Sequence, residues 1–231
     1  MSDDIAERLT AAYDAVAEGY ACVNQTMPDD LIEAASEFKT LIDGRGPVLD
    51  VGCGAGRDMA WLEREGFIVV GADLSYGMLT QARRYVRGPL TRMDMRRLAF
   101  ADASFAGVWC CASLLHLPRD EAPGALAEMR RVLAFGGPLY LALQEGDGEG
   151  WESVTRYGPA VERYFVRYRM TEVEALLTGA GFRPLRAWIG RASDVHWINV
   201  LALAVEPLTT PSERTTDEDT RRAGASRSRK F

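Results

Sequence analysis

Apolar and polar positions along the chain fall into two alternating textures. Short apolar runs bounded by turn residues occur at 47–52 (PVLDVG), 67–74 (FIVVGADL), 105–113 (FAGVWCCAS) and 138–144 (PLYLALQ). Runs of this length without polar alternation suit strands buried on both faces. Between them, 57–65 (RDMAWLERE), 76–86 (YGMLTQARRYV) and 120–134 (DEAPGALAEMRRVLA) carry Met, Leu, Val and Ala at helical spacing. Strand and helix in alternation predict an α/β fold with a doubly wound, mostly parallel sheet and helices on both faces. A helical run at 171–180 closes at Gly181, and two strand-like runs follow, RPLRAWIG and HWINVLALAVE. They predict a C-terminal hairpin that adds an antiparallel strand at one edge of the sheet.

Two flanks and one insertion depart from this rhythm. Residues 1–44 read as an N-terminal helical cap in which Tyr13 and Tyr20, seven apart, share a helical face. Residues 207–231 lose apolar content and gain Ser, Thr, Arg and Asp, which predicts a disordered tail and leaves 45–206 as the folded domain. The stretch after the 138–144 strand, EGDGEGWESVTRYGPAVERYFVRYRM, mixes aromatics with Arg156, Arg163, Arg167 and Arg169 behind Gly146, Gly148 and Gly150. Those glycines predict a mobile entry.

Composition narrows the partners. With 231 residues, 47% hydrophobic and 26% charged, the chain has the makings of one substantial core. A formal net charge of −6 offers no general attraction to nucleic-acid backbones or anionic lipid. No apolar run nears the roughly 20 residues of a membrane span, and the first residues lack a signal-peptide pattern, so a cytoplasmic location is expected. The four cysteines, Cys22, Cys53, Cys110 and Cys111, form no CxxC pair and have no histidine at ligand spacing, so neither a metal nor a disulfide is expected. Neighbours in a strand face opposite ways, and Cys110 and Cys111 read as small apolar side chains.

The chemistry concentrates in VLDVGCGAGRD, residues 48–58. Where a buried strand turns straight into a helix, Gly52, Gly54 and Gly56 remove the side chains that would hold a ligand off the backbone. The helix that follows offers free N–H groups to an anion. Asp73, 21 residues beyond Gly52, sits where a carboxylate accepts hydrogen bonds from both hydroxyls of a ribose, or caps the helix that starts near Ser75.

With GADLSYGMLTQARR, MDMRRLAFADASFAGVWCCASLLHLP, ALAEMRRVLAFGGPLYLAL and RYFVRYRMTEVEALLTGAGF in the same order, the sequence resembles the class I methyltransferases that use S-adenosylmethionine, in particular their small-molecule branch. The resemblance runs from about residue 10 to 206 and implies a Rossmann-like fold. By position it implies that Asp50, Gly52, Cys53, Gly54 and Gly56 hold the methionine part of the cofactor and Asp73 its ribose. Leu74 and Met78 would flank the adenine, Asp94 would meet its exocyclic amine, and Met95 would cover the ring. Cys111 and Ala112 would pass beneath the sulfonium.

Other readings compete. A nicotinamide-dependent oxidoreductase wants GxGxxG, but Gly56 comes one position early and Arg57 stands in the expected place. A regulatory protein that binds the cofactor and catalyses nothing differs only in assay. Of the two histidines, His116 follows the fourth strand near the expected methyl group and is the candidate general base, with a structural role as its rival; His196 reads as a hairpin residue. For the acceptor, the residues expected to bind are Tyr13 and Tyr20 from the cap and Trp151 and Arg156 from the insertion, closing together as a lid over a partly aromatic or acidic small molecule. Tyr164 and Phe165 read as packing residues. The acceptor atom and the oligomeric state leave no mark in the sequence.

Overall fold

A computed structural model describes residues 2–42, 46–192 and 194–205. The tail expected from 207 and the expected boundary at 44/45 lie outside the described residues. In chain order the elements are α1 (Ser2–Val23), α2 (Asp29–Leu41), β1 (Val48–Val51), α3 (Arg57–Arg64), β2 (Val69–Asp73), α4 (Tyr76–Ala82), β3 (Leu90–Arg92) and β4 (Gly107–Cys111). A 3-10 turn (Leu114–His116) leads to α5 (Ala122–Val132), β5 (Pro138–Gln144), β6 (Glu149–Val154), β7 (Val161–Val166), α6 (Met170–Gly179), β8 (Phe182–Ala192) and β9 (Val195–Ala204).

Seven strands form one sheet in the order β3-β2-β1-β4-β5-β9-β8. The first five are parallel, and β9 runs antiparallel between β5 and β8. The expected doubly wound sheet with an antiparallel C-terminal hairpin is thus present. Its strand order reverses between β1 and β4, and at such a switch point the carboxyl ends of the strands leave a crevice. β1 is buried throughout and β4 along all but its last residue, as expected of strands covered on both faces.

The two faces hold separate cores. Leu126 and Met129 of α5 and Val173 and Leu177 of α6 pack with Cys110 on one face. On the other, Phe38 of α2 meets the Trp109 ring edge-on at 5.3 Å, and Trp109 stacks on Tyr140 at 3.9 Å. Met59 and Leu62 of α3 join this second cluster, with Cys111 at its margin. The adjacent cysteines therefore do serve opposite faces.

Helix α1 joins neither core; it lies across the carboxyl edge of the sheet against α4 and β7. The approach is close enough to demand glycine, since a Cβ on Gly19 would stand 1.9 Å from the Tyr157 carbonyl oxygen. Asp14 of α1 fixes the opposite side, accepting from the Ser75 hydroxyl (2.5 Å) and the Gly77 N–H (2.7 Å). No described helix is long and apolar enough to cross a membrane.

The insertion after β5 forms a two-stranded antiparallel hairpin, β6–β7, apart from the main sheet. Sequence periodicity misses it because an inward slot of β7 holds Arg163, buried beside Phe165 while Glu162 faces solvent. A charged residue in that slot hides the apolar alternation.

Candidate active site

The turn after β1 is fastened to β2 by its backbone: the N–H groups of Gly52 and Cys53 both donate to the Ala72 carbonyl, at 2.7 and 3.1 Å. Gly52 (φ +72°), Gly54 (+53°) and Gly56 (+84°) all adopt left-handed conformations, which glycine enters without strain. A Cβ on Gly52 would lie 2.2 Å from that of Ser113, whose hydroxyl donates to the Val51 carbonyl. A Cβ on Gly54 would meet nothing nearer than the Tyr20 ring at 3.9 Å, so this residue presents bare backbone to open space.

Asp73 and Asp50 stand at the turn, and Asp94 lies just past the end of β3. Asp73 accepts from the Gly54 N–H at 2.9 Å with one oxygen and from the Ser75 N–H at 2.8 Å with the other, and burial raises its pKa. The helix-capping role considered for Asp73 belongs instead to Ser75, whose hydroxyl accepts from the Met78 N–H. Asp50 is 2% exposed and its Oδ2 has no hydrogen-bond partner. Burial, and then the nearby Asp58 and Asp73, push its pKa well up. A buried carboxylate oxygen without a donor is costly and marks a place for a cationic or N–H group. Burial opposes ionisation of Asp94 too, but the Arg96 fork outweighs it and holds the carboxyl below its usual range.

A cavity of about 130 Å³ opens beside these groups. Of the predicted cofactor residues, Gly52, Gly54, Asp73, Leu74, Met78, Asp94, Met95, Cys111 and Ala112 line it, while Asp50, Cys53 and Gly56 are not part of its lining. Ala112 has a φ of +56°, an unusual value for a residue with a side chain, where β4 ends at the cavity. Burial raises the thiols of Cys53 and Cys111.

The far wall comes from α1 and the turn after β4. Tyr13 and Tyr20 line it, their rings edge to face at 6.0 Å, as the seven-residue spacing anticipates. His116 lines it as well, 2.6 Å from the Tyr13 hydroxyl through Nε2 and 2.6 Å from the Tyr164 carbonyl through Nδ1. A carbonyl only accepts, so Nδ1 carries the imidazole proton and the Tyr13 hydroxyl donates to the Nε2 lone pair. Arg163 of β7 donates to the same hydroxyl oxygen at 3.1 Å. Burial pushes the His116 pKa down to about 4, with Arg163 adding to the effect, and pushes Tyr13 up to about 12.

Trp151 and Arg156 are outside the cavity wall. Trp151 lies under the Arg8 guanidinium at 3.7 Å and against Tyr164, and Arg156 is exposed near the Tyr157 ring. Sequence reasoning groups Arg163 with Arg156, Arg167 and Arg169 and assigns the acceptor to Arg156, whereas it is Arg163 that the fold brings against Tyr13; its register with Val161 and Phe165 is the signal that singles it out.

Residues 48–137 match the methyltransferase domain family. A protein of Encephalitozoon cuniculi named only as a candidate methyltransferase is 33% identical over 156 residues, 60% of this chain and 70% of its own length. The chain belongs to the class I S-adenosylmethionine-dependent methyltransferases. Methyltransferase GfsG of Streptomyces halstedii is 41% identical over 104 residues, 41% of this chain and 36% of that protein. An 18S rRNA (guanine-N(7))-methyltransferase, bud23 of Schizosaccharomyces pombe, is 28% identical over 65% of this chain and 56% of its own length. The chain thus spans about a third to two thirds of the length of these relatives. The crystal structure of a methyltransferase from Methanosarcina mazei shares the fold, with a TM-score of 0.65 at 19% identity over 73% of this chain and 97% of that one. The methyl donor of this family fits the residues present: Asp50 has an oxygen free for an ammonium, and Gly54 leaves its backbone bare at the cavity.

Proposed function

We propose that this methyltransferase moves a methyl group from S-adenosylmethionine to a small-molecule acceptor whose nucleophilic atom carries a proton, a hydroxyl above all. The observation that carries this reading is the Tyr13–His116 hydrogen bond on the wall of the cavity that Asp73 and Gly54 also line. In this reading Asp50 receives the cofactor's ammonium, Asp73 its ribose hydroxyls, and Leu74, Met78, Asp94 and Met95 surround its adenine, with Cys111 and Ala112 below the sulfur. When bound, S-adenosylmethionine supplies a sulfonium methyl that is already electrophilic. Positioning and removal of one proton remain for the protein.

The chain's own groups can remove it. As the new bond to carbon forms and the carbon–sulfur bond breaks, the acceptor's proton passes to the Tyr13 oxygen and Tyr13's own proton passes to Nε2 of His116. A histidine with a pKa near 4 is a weak base in isolation. Here one positive charge disappears from sulfur as another appears on imidazole, so the net charge of the site is unchanged. The Tyr164 carbonyl holds the ring in the tautomer that this transfer needs.

A small acceptor is favoured over an RNA because α1 roofs the cavity with Tyr13 and Tyr20 and the chain is acidic overall. The test starts with the cofactor. Calorimetry on a folded Asp73→Ala variant should show S-adenosylhomocysteine binding weakened about tenfold or more, as charge-assisted bonds worth roughly 1.5–3 kcal/mol are lost. Unchanged affinity would refute the ribose assignment, and tighter binding of a nicotinamide dinucleotide by the unaltered protein would refute the cofactor reading.

A further inference from the structure

Strand β7 buries a charge that touches the proton path above but takes no proton in it. Arg163 is 8% exposed. Its neighbours along the chain are paired, Arg167 with Glu152 and Arg169 with Asp147, whereas no described carboxylate forms an ion pair with Arg163. Its Nε is buried without a hydrogen-bond partner, and its Nη1 donates to Tyr13. Aromatic faces surround it instead, with the guanidinium carbon 5.4 Å from the Tyr13 ring centre, 5.2 Å from Tyr157 and 5.0 Å from Phe165. Cation–π attraction offsets part of the cost of burying a charge, and a missing counter-ion leaves the rest uncompensated.

We infer that Arg163 is the counter-ion for a carboxylate on the acceptor. The inference rests on the methyl-transfer reading and adds the substrate's chemical class. A flat, aromatic-walled site with a single guanidinium suits a monoanion on a planar molecule, and the unpartnered Nε edge matches the fork that carboxylates accept. Because the Tyr13 hydroxyl touches both Arg163 (3.1 Å) and His116 (2.6 Å), the acid and the nucleophilic atom belong to one small molecule, a few bonds apart. Arg163 lies behind Tyr13, outside the cavity wall, and the cavity of about 130 Å³ is smaller than the roughly 300–1,000 Å³ typical of ligand pockets. For its carboxylate to reach Arg163, the acceptor has to enter at the packed seam between α1 and β7 that Tyr13 and Arg163 bridge.

Protein loaded with S-adenosylhomocysteine is titrated with benzoate, with its neutral isostere benzamide and with inorganic phosphate, and binding is followed by NMR of the probes. Benzoate should bind the unaltered protein at least tenfold more tightly than benzamide and more tightly than phosphate. Arg163→Gln should abolish that preference and Arg163→Lys should retain part of it, with affinity for S-adenosylhomocysteine within about twofold in both. Equal binding of benzoate and benzamide, no benzoate binding at millimolar concentration, tighter binding of phosphate, or a preference that survives Arg163→Gln would each overturn the inference. Failure of the unaltered protein to bind S-adenosylhomocysteine is a separate result, and it would overturn the methyl-transfer reading beneath it.

Discussion

The two walls of the cavity are built on different principles. On the cofactor side the contacts are made by backbone N–H groups: Gly52, Cys53, Gly54 and Ser75 donate to Ala72 and Asp73, and all of these residues lie between the end of β1 and the start of α4. On the acceptor side the contacts join side chains from remote segments. Tyr13 meets His116 across 103 residues and Arg163 across 150. Backbone geometry tolerates few substitutions and serves any member of the family, whereas a side-chain constellation can be exchanged residue by residue. The cofactor wall should therefore fail abruptly when altered, and the acceptor wall in steps.

The abrupt failure is largest at Gly52. Gly52→Ala imposes a left-handed conformation on alanine and drives its Cβ to 2.2 Å from that of Ser113, which is tied to Val51. Strain and overpacking together should cost about 3 kcal/mol or more, read as a clear drop in the midpoint of urea unfolding and loss of S-adenosylhomocysteine binding. A variant with unaltered stability and affinity would break the contrast at its stronger end.

A smaller effect, confined to chemistry, is expected from His116→Ala: turnover falls about a hundredfold while cofactor affinity holds. Because the imidazole is neutral above about pH 4, turnover in the unaltered enzyme should show no inflection near 6.5. Stability carries the complementary signature. The folded pKa lies below the unfolded value of 6.5, so between pH 6.5 and 4 the unfolded chain takes up a proton that the folded chain refuses. Stability therefore falls as pH drops through that window, by at most about 3 kcal/mol for this group, and the loss is absent above pH 6.5. An inflection near 6.5 in the rate profile would mean a histidine in contact with solvent and would sink the proton path through Tyr13.

The same contrast governs what the sequence disclosed. The alternation of apolar runs and helices gave the parallel sheet because β1, β4 and β5 are buried along nearly their whole length. The glycine turn and Asp73 were legible because local backbone conformation demands particular residue types at fixed spacing. Tyr13 and Tyr20 were legible as a pair, since helical periodicity alone brings their rings together. Arg163 was not legible apart from the other arginines of its stretch, because its surroundings come from α1, from the turn between β6 and β7, and from β7 itself, whose alternation it conceals. Trp151 and Arg156 show the converse: their residue types suit acceptor binding, yet the fold leaves both outside the cavity wall.

The smallest effects should come from those two residues. Trp151 touches α1 through Arg8, whose guanidinium lies 3.7 Å from the ring centre, and Arg8 is also near Asp4. A surface cation–π contact of this kind is worth roughly 0.5–1 kcal/mol. Trp151→Ala should therefore loosen the first turns of α1 from the hairpin and raise the Michaelis constant for the acceptor about two- to fivefold, with cofactor affinity unaltered. Arg156, exposed and 5.8 Å from the Tyr157 ring, should tolerate replacement by alanine with no measurable change. Steady-state kinetics on the two variants beside Tyr20→Ala, whose ring lines the cavity, would grade the acceptor wall. If Trp151→Ala or Arg156→Ala raised the Michaelis constant as much as Tyr20→Ala does, those side chains would have to reach the acceptor directly, and α1 with the hairpin would close over it as a lid.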